Sequence, residues 1–486
     1  MQLKEEHEAD FFKYENLDAK YLLKREDFAD DDEFFRRQYF NYYLARVESM
    51  RDRICERAKN EIDESLKLSH LVGAKPQEKV FVIGTIFKHM KMRPSVLREL
   101  AKDDGEQEFI LPDPLISDRL IAEDDYLEFE EDKQRVKLEG EIDTNEFITG
   151  CVIGLYGYKD KDRSDSFHVL RVITPTIPPQ DVVPEYTEDR FVVFISGLQI
   201  TGKAELDTDL LKALSVLQDF MTNDIGSYDE NGDRYFFERV VIAGESIAIT
   251  EEGKQYSAAA RYVTRHEEAP NVGAMRRLDL FISALTGAVP VDLMPGPSDP
   301  ASRMFPQQPI HKATFPQSSH HGRMINLCTN PHMFRVGKML FLGTSGQNVT
   351  DLMRMSSISS TMETHEHFLK WQHIAPSVPD TIDGFPFDRD PLVIDDTPHV
   401  LFCGNQQKME MKKFDLNGEA QIVMDYDPDF CPLSLEQPTL EQLEKHSWYM
   451  CNPCSARKIH ERTGGRELIF PNGPPEWSRI YGMRGQ

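Results

Sequence analysis

FVVFISGLQI, Phe191 to Ile200, is a run of apolar, largely β-branched and aromatic residues that ends in a glycine followed by one polar side chain. A run without polar alternation fits a strand buried on both faces, in a sheet covered on both sides. Three other stretches repeat the design: RVVIAGESIA from Arg239 to Ala248, AVPVDLMPGPSDP from Ala288 to Pro300, and PHVLFCGNQQ from Pro398 to Gln407. Strands are expected at 191–196, 238–243 and 289–294. Helical periodicity lies between them at 207–222 and 271–286, so the carboxyl-terminal part reads as an α/β sandwich. Ligands of such sheets gather beyond the carboxyl ends of the strands. Gly197, Glu245, Asp299 and Asn405 fall there.

These junctions resemble the metal site of the calcineurin-like phosphoesterases with its ligands replaced. Where that family carries Asp-x-His, this chain has Gly197 and Gln199. Gly-Asp becomes Gly244-Glu245, which keeps a carboxylate on a side chain one methylene longer. The Gly-Asn-His-Asp/Glu run becomes PGPSDP, with Pro297, Ser298 and Asp299, and Gly-His-x-His becomes Gly404-Asn405-x-Gln407. Two adjacent divalent metals need carboxylates and neutral imidazoles to offset their charge and fix the attacking hydroxide. Glycine, proline and glutamine do neither, and Glu245, Asp299 and His332 are too few and too scattered. The expectation is a degenerate phosphoesterase site with no catalytic residues, no metal and no cofactor.

VDLMPGPSDP (291–300), FPQQPIH (305–311), FLGTSGQNVTDL (341–352), HIAPSVPDT (373–381) and PHVLFCGN (398–405) together resemble the small (B) subunits of DNA polymerase delta, as does VFVIGTIFKHMKMRPSVLREL (80–100). The similarity runs from about Glu33 to about Phe430. It implies a multidomain α+β and α/β chain: an OB-fold β-barrel packed on a calcineurin-like phosphoesterase sandwich, with an N-terminal helix. The expected bounds are an acidic, partly disordered leader (1–33), a helix (34–70), the OB-fold domain (71–185), the inactive phosphoesterase domain (186–430) and an extension of unassigned structure (431–486). By resemblance the chain is a nuclear, non-catalytic scaffold in DNA replication and repair synthesis. Its implied partners are the cysteine-rich carboxyl-terminal domain of the polymerase delta catalytic subunit, a third subunit leading to the sliding clamp, and DNA through the complex. In some lineages the same subunit also serves the polymerase zeta catalytic subunit. Metals and an iron–sulfur cluster, where such complexes hold them, belong to the catalytic partner. The competing readings are a metal-dependent phosphodiesterase or nuclease with residual activity, and the small subunit of polymerase alpha or epsilon; FLGTSGQN and MPGPSDP favour delta.

Composition agrees with this reading. The chain has 486 residues, 40% of them hydrophobic, enough for two or three domains with sizeable cores. Its formal net charge is −26, which argues against a large duplex-binding surface, since such binding rests on Lys and Arg against phosphates. An acidic protein works beside DNA when a partner holds the DNA. No apolar run approaches the ~20 residues of a membrane span, and Met1 to Asp10 is charged, so the expectation is a soluble chain inside the cell with no membrane partner. Seven irregularly spaced cysteines make no disulfide framework. There is no phosphate-cradling Walker loop, no Gly-x-Ser-x-Gly elbow and no Gly-rich dinucleotide turn.

From Phe34 to about Ser65, Phe35, Tyr39, Tyr43, Val47, Met50 and Ile54 recur at steps of three or four, as one face of a helix. Strands at 78–88, 126–130, 134–142 and 149–158, interrupted by helical SVLRELAK at 95–102, fit a small barrel. Its strand pair LEFEEDKQRVKLEGEID is rich in Glu and Asp, which favours protein contact over single-stranded nucleic acid, whose binding needs a basic groove with stacking aromatics. Asp380, Asp383, Asp388, Asp390, Asp395 and Asp396 read as a solvated acidic loop. In the tail, His446, Cys451, Cys454 and His460 offer a Cys-x2-Cys set suited to zinc. From Lys445 onward, seven Lys and Arg against three Glu give this segment about +4.

Overall fold

The computed structural model describes residues 13–24, 38–93, 119–131, 134–161, 163, 165–182, 190–222, 236–248, 271–406, 411–416, 419–425 and 448–451. In chain order, the first elements are β1 (Tyr14–Asn16), α1 (Tyr39–Glu61), β2 (Val80–His89), β3 (Tyr126–Glu131), β4 (Gln134–Gly140), β5 (Val152–Lys159) and β6 (Ser166–Ile173). There follow β7 (Arg190–Ile195), α2 (Ala204–Met221), β8 (Phe236–Ala243), α3 (Asn271–Leu285), β9 (Val291–Met294), β10 (Ile325–Leu327), β11 (His332–Val336) and β12 (Met339–Thr344). The last are α4 (Gln347–Met355), α5 (Thr361–Trp371), β13 (Val400–Cys403), β14 (Met411–Leu416), β15 (Glu419–Asp425) and β16 (Trp448–Cys451). The chain divides into two units. One comprises residues 24–179 and 348–396, the other residues through Leu23, 180–347 and from Thr397 on.

The first unit is built on a closed barrel of strand order β2-β3-β4-β6-β5, in which β4 and β6 run parallel and the other neighbours antiparallel. Helix α1 lies on it, with Met50, Ile54 and Ala58 buried against Phe81, Ile83, Val152 and Ile173. The buried row of the helix is Tyr42, Arg46, Met50, Ile54 and Ala58. The expected row holds at Met50 and Ile54, with Val47 half-buried on the same core, but in the first turns it runs through Tyr42 and Arg46 instead of Tyr39 and Tyr43. Tyr39 is 41% exposed, and Phe35 lies outside the described residues. The row shifts because Arg46, which an apolar pattern skips, is fully buried. Its guanidinium donates to Asp390 at 2.5 Å and to the carbonyls of Gly150, Pro376 and Val378 at 2.9, 2.7 and 2.6 Å. Asp390 is therefore no part of a solvated acidic loop. It also accepts from Tyr42 Oη at 2.7 Å and His373 Nε2 at 2.8 Å. The 95–102 segment lies outside the described residues.

On α5 of this unit, buried His365 bonds through Nδ1 to Thr361 O at 2.8 Å. Burial pulls its pKa down to about 4, against the opposing effect of that bond. A depressed pKa makes the neutral form part of the native state. Its stability contribution is complete above the ordinary imidazole value near 6.5 and is lost as pH falls from there through about 4. His365→Asn should flatten the stability profile over that window by up to about 3 kcal/mol, read from urea midpoints at pH 7 and pH 4.5. An unchanged profile in the variant would assign the acid sensitivity to other groups.

The second unit is a two-sheet sandwich. One sheet has the order β1-β11-β12-β13-β15-β14 and the other β10-β9-β8-β7-β16. β7, β8, β9 and β10 are parallel neighbours, as are β12, β13 and β15. Between the sheets, Val192, Phe194, Val241, Ala243 and Met294 meet Phe334, Val336, Phe341, Val400 and Phe402. The opposite face of β7, β8 and β9 packs Val193, Ile195, Val240, Ile242, Val291 and Leu293 against Leu210, Leu214 and Leu217 of α2 and Leu278, Phe281 and Ile282 of α3. Burial on both faces is what the unbroken apolar runs require.

Part of the acidic leader is ordered: Tyr14–Asn16 pairs antiparallel with Phe334–Val336, and Tyr21 is buried. Residues 348–396 group with the barrel, not with the sandwich. Within the tail, β16 pairs antiparallel with β7, Trp448 opposite Ile195. Of the four tail ligands, Cys451 is the last residue of that strand, while His446, Cys454 and His460 lie outside the described residues.

Candidate functional site: the strand ends of the sandwich

The sandwich brings most of the anticipated positions together at the carboxyl ends of β7, β8, β9 and β13. Gly197 N donates to Gly244 O at 3.2 Å, Gln199 N to Glu245 O at 3.0 Å, and Asn405 N to Ser196 Oγ at 3.0 Å. Gln199, Glu245 and Asn405 adopt φ of 46°, 50° and 59°, a left-handed backbone that side-chain-bearing residues seldom take. These three are among the positions that the resemblance implies are replaced ligands. Gln407 lies outside the described residues.

The turns are so close that only glycine fits at Gly296. A Cβ there would lie 2.3 Å from Glu245 N, and the Cα of Gly296 is where a Cβ on Gly244 would collide, at 2.8 Å. β8 and β9 can therefore end side by side, which brings Asp299 beneath the 245–247 turn. Asp299 accepts from Ser246 N at 3.0 Å, Ile247 N at 3.2 Å and Gly296 N at 2.8 Å. Burial, with a smaller push from Glu245, raises its pKa to about 7 against the pull of those three amides. Burial also raises Glu245, which the Gln199 amide partly counters by donating at 3.3 Å.

Asn405 brings no imidazole here, and its buried Oδ1 has no hydrogen-bond partner among the described residues. Its Nδ2 donates to Ala243 O at 3.2 Å and Ser345 O at 2.8 Å, tying the ends of β8, β12 and β13. Pro297 brings no donor atom. Ser298 and Ser246 bring hydroxyls, which carry no charge. Among the described residues, the ionisable groups at the anticipated positions are thus two carboxylates whose neutral forms burial favours.

An amide knot that sequence reading missed lies next to this cluster. Asn330 Nδ2 donates to Gln307 Oε1 at 2.7 Å, Ser345 Oγ at 2.6 Å and Gln347 Oε1 at 3.1 Å, and Gln347 Nε2 donates to Gln307 Oε1 at 2.8 Å. Gln307 Nε2 reaches Ser302 O at 2.8 Å and Gly296 O at 3.3 Å. FPQQPIH and FLGTSGQN are joined by this knot, and the only signal for it was their density of amide side chains. His332 is engaged elsewhere: its ring nitrogens face Asp18 at 2.8 Å and Asp292 at 3.4 Å.

On the barrel, the outward rings of Phe87, His89 and Tyr126 form a short ladder, with centroids 4.8 and 4.5 Å apart. Arg135 lies 4.6 Å over Phe87, and Lys137 4.6 Å over Tyr126. Glu130 and Glu128 neutralise Arg135 at 2.6 and 3.5 Å, which leaves little positive field for a phosphate backbone.

The chain thus carries a closed barrel in one unit and a two-sheet sandwich in the other. Residues 192–412 match the family model that describes the B subunits of DNA polymerases alpha and epsilon, and residues 38–172 that for the DNA polymerase delta subunit OB-fold domain. The chain is 33% identical to the probable DNA polymerase delta small subunit of Caenorhabditis elegans, over 85% of this chain and 91% of that one. It is 31% identical to the DNA polymerase delta small subunit of Oryza sativa subsp. japonica (86% and 92%) and 33% identical to that of Arabidopsis thaliana (91% and 96%). The chain belongs to the DNA polymerase delta small-subunit family.

Proposed function

We propose that this chain is the non-catalytic scaffold subunit of a nuclear DNA polymerase delta complex, and that its sandwich is a calcineurin-like phosphoesterase fold whose metal site has been lost. The observation that carries the reading is Asn405. At a position where the resembling family has a metal-binding imidazole, its side-chain amide donates to two backbone carbonyls, so the strand ends are held by hydrogen bonds where a metal pair would otherwise hold them. Family membership supports an accessory role, with polymerase activity in another subunit. In this reading the sandwich binds the cysteine-rich carboxyl-terminal domain of the catalytic subunit. The barrel, with its charge-neutral aromatic face, binds the third subunit, and DNA is reached through the complex.

Purified full-length protein should hydrolyse a nitrophenyl phosphodiester in manganese no faster than buffer, and Glu245→Ala and Asp299→Ala should leave that rate unchanged. Turnover that chelator and both substitutions abolish would overturn the reading.

A further inference from the structure

Three segments of the sandwich converge on a second cluster, which shares no residue with the strand-end site. Asp18 comes from the turn that follows β1, Cys328 from the loop before β11, and His332 opens β11. All three are buried, with 3%, 0% and 0% exposure, and their ligand-type atoms lie within 4.8 Å of one another. Asp18 is aimed by its surroundings: its own amide donates to Asn16 Oδ1 at 2.8 Å, while Met333 N and Thr329 N donate to its carboxylate at 2.9 and 3.2 Å. The imidazole of His332 stacks on Phe334, with centroids 4.9 Å apart, and presents Nδ1 to Asp18 at 2.8 Å.

A thiol sulfur, an imidazole nitrogen and a carboxylate oxygen form a donor set for a borderline divalent ion such as zinc, whereas magnesium and calcium prefer oxygen alone. The other side of His332 completes the pattern. Histidines that bind zinc through one nitrogen commonly give the other N–H to a carboxylate, which fixes ring and tautomer. Here Nε2 lies 3.4 Å from Asp292 Oδ2, and Asp292 is itself held by Arg239 Nη1 at 2.7 Å and Asn326 Nδ2 at 2.8 Å. The charges also close. Cys328 thiolate and Asp18 offset the two positive charges of the ion, and Asp292 is matched by Arg239. With zinc bonds of about 2.0 Å to nitrogen and oxygen, the two ligand atoms stand about 3.3 Å apart, so the present contact has to open by about half an ångström.

We propose that Asp18, Cys328 and His332 supply three ligands of a zinc site that clamps the amino-terminal segment onto the sandwich. The imidazole coordinates through Nδ1 and keeps its proton on Nε2, and the thiol proton of Cys328 is released to solvent.

The test counts metal on the full-length chain, purified without chelator and dialysed. It then follows Co2+ titration of the chelator-treated protein by thiolate-to-cobalt absorption. One equivalent of zinc should remain in the wild type and in the double variant Cys451→Ser/Cys454→Ser, which removes the tail cysteines. Asp18→Asn should weaken affinity at least tenfold, and Cys328→Ser should abolish the cobalt–thiolate band. Metal absent from the wild type, or retained in Cys328→Ser and lost from the tail variant, overturns the proposal. Asp18→Asn preserves side-chain size and carries the test should Cys328→Ser fail to fold; wild-type zinc affinity in that variant overturns it equally.

Discussion

Arg46→Ala should lower the unfolding free energy of the barrel unit by about 3–5 kcal/mol, the range for removing one partner of a buried ion pair. Arg46 and Asp390 are both buried, and the guanidinium uses Nε, Nη1 and Nη2 on the carboxylate and on three carbonyls from two separate segments. Attraction to Arg46 and the bonds from His373 and Tyr42 overcome the burial penalty and hold Asp390 far below the usual carboxylate range. Without Arg46 the carboxylate keeps only Tyr42, His373 and Leu392 N, and three carbonyls lose their donor. Arg46→Met with Asp390→Leu removes the uncompensated charge and should recover part of the loss but not all of it, because the three carbonyls, Tyr42 Oη, His373 Nε2 and Leu392 N are left without partners. Urea midpoints of the three proteins decide it. A single-variant loss below about 1 kcal/mol would mean that water reaches the pair.

Phe334→Ala should cost the sandwich about 3–5 kcal/mol, the range for truncating a buried phenylalanine. Phe334 is fully buried where the two sheets meet. Its ring stacks on Phe341 at 4.6 Å and 3°, on His332 at 4.9 Å, and lies 5.9 Å from Tyr14 and 6.5 Å from Phe402. The substitution removes ring-on-ring contact from strands of the first sheet at once and frees the His332 ring that faces Asp18. Phe334→Leu, which keeps most of the volume, should cost clearly less. Equal losses for the two would mean that the contacts of the aromatic ring itself, and not the volume it fills, set the cost.

The parts legible in the sequence were those governed by continuous apolar burial. FVVFI, RVVIA and VDLM could only be strands covered on both faces, and β7, β8 and β9 lie within one or two residues of their expected positions. β6, SFHVLRVI, is not legible because the residues that are not buried include Leu170 and Val172 as well as His168 and Arg171, which blurs the alternation. The phase of α1 was misjudged because Arg46 is buried by partners more than a hundred residues away. β1 hid in the leader because three residues, YEN, carry no period. At the candidate site, Gly197, Glu245, Asp299 and Asn405 lie just beyond the carboxyl ends of β7, β8, β9 and β13, as the apolar runs before them imply. Gln307, Asn330 and Gln347 were not singled out, since each reads as an ordinary polar loop residue until the fold brings them together.

The most direct test is to recover the tagged chain from its own cells and measure what accompanies it. A family B polymerase catalytic subunit at about one per chain is the result expected of a scaffold in the polymerase delta complex. Recovery of the chain alone, at normal abundance and with no polymerase subunit attached, would contradict it.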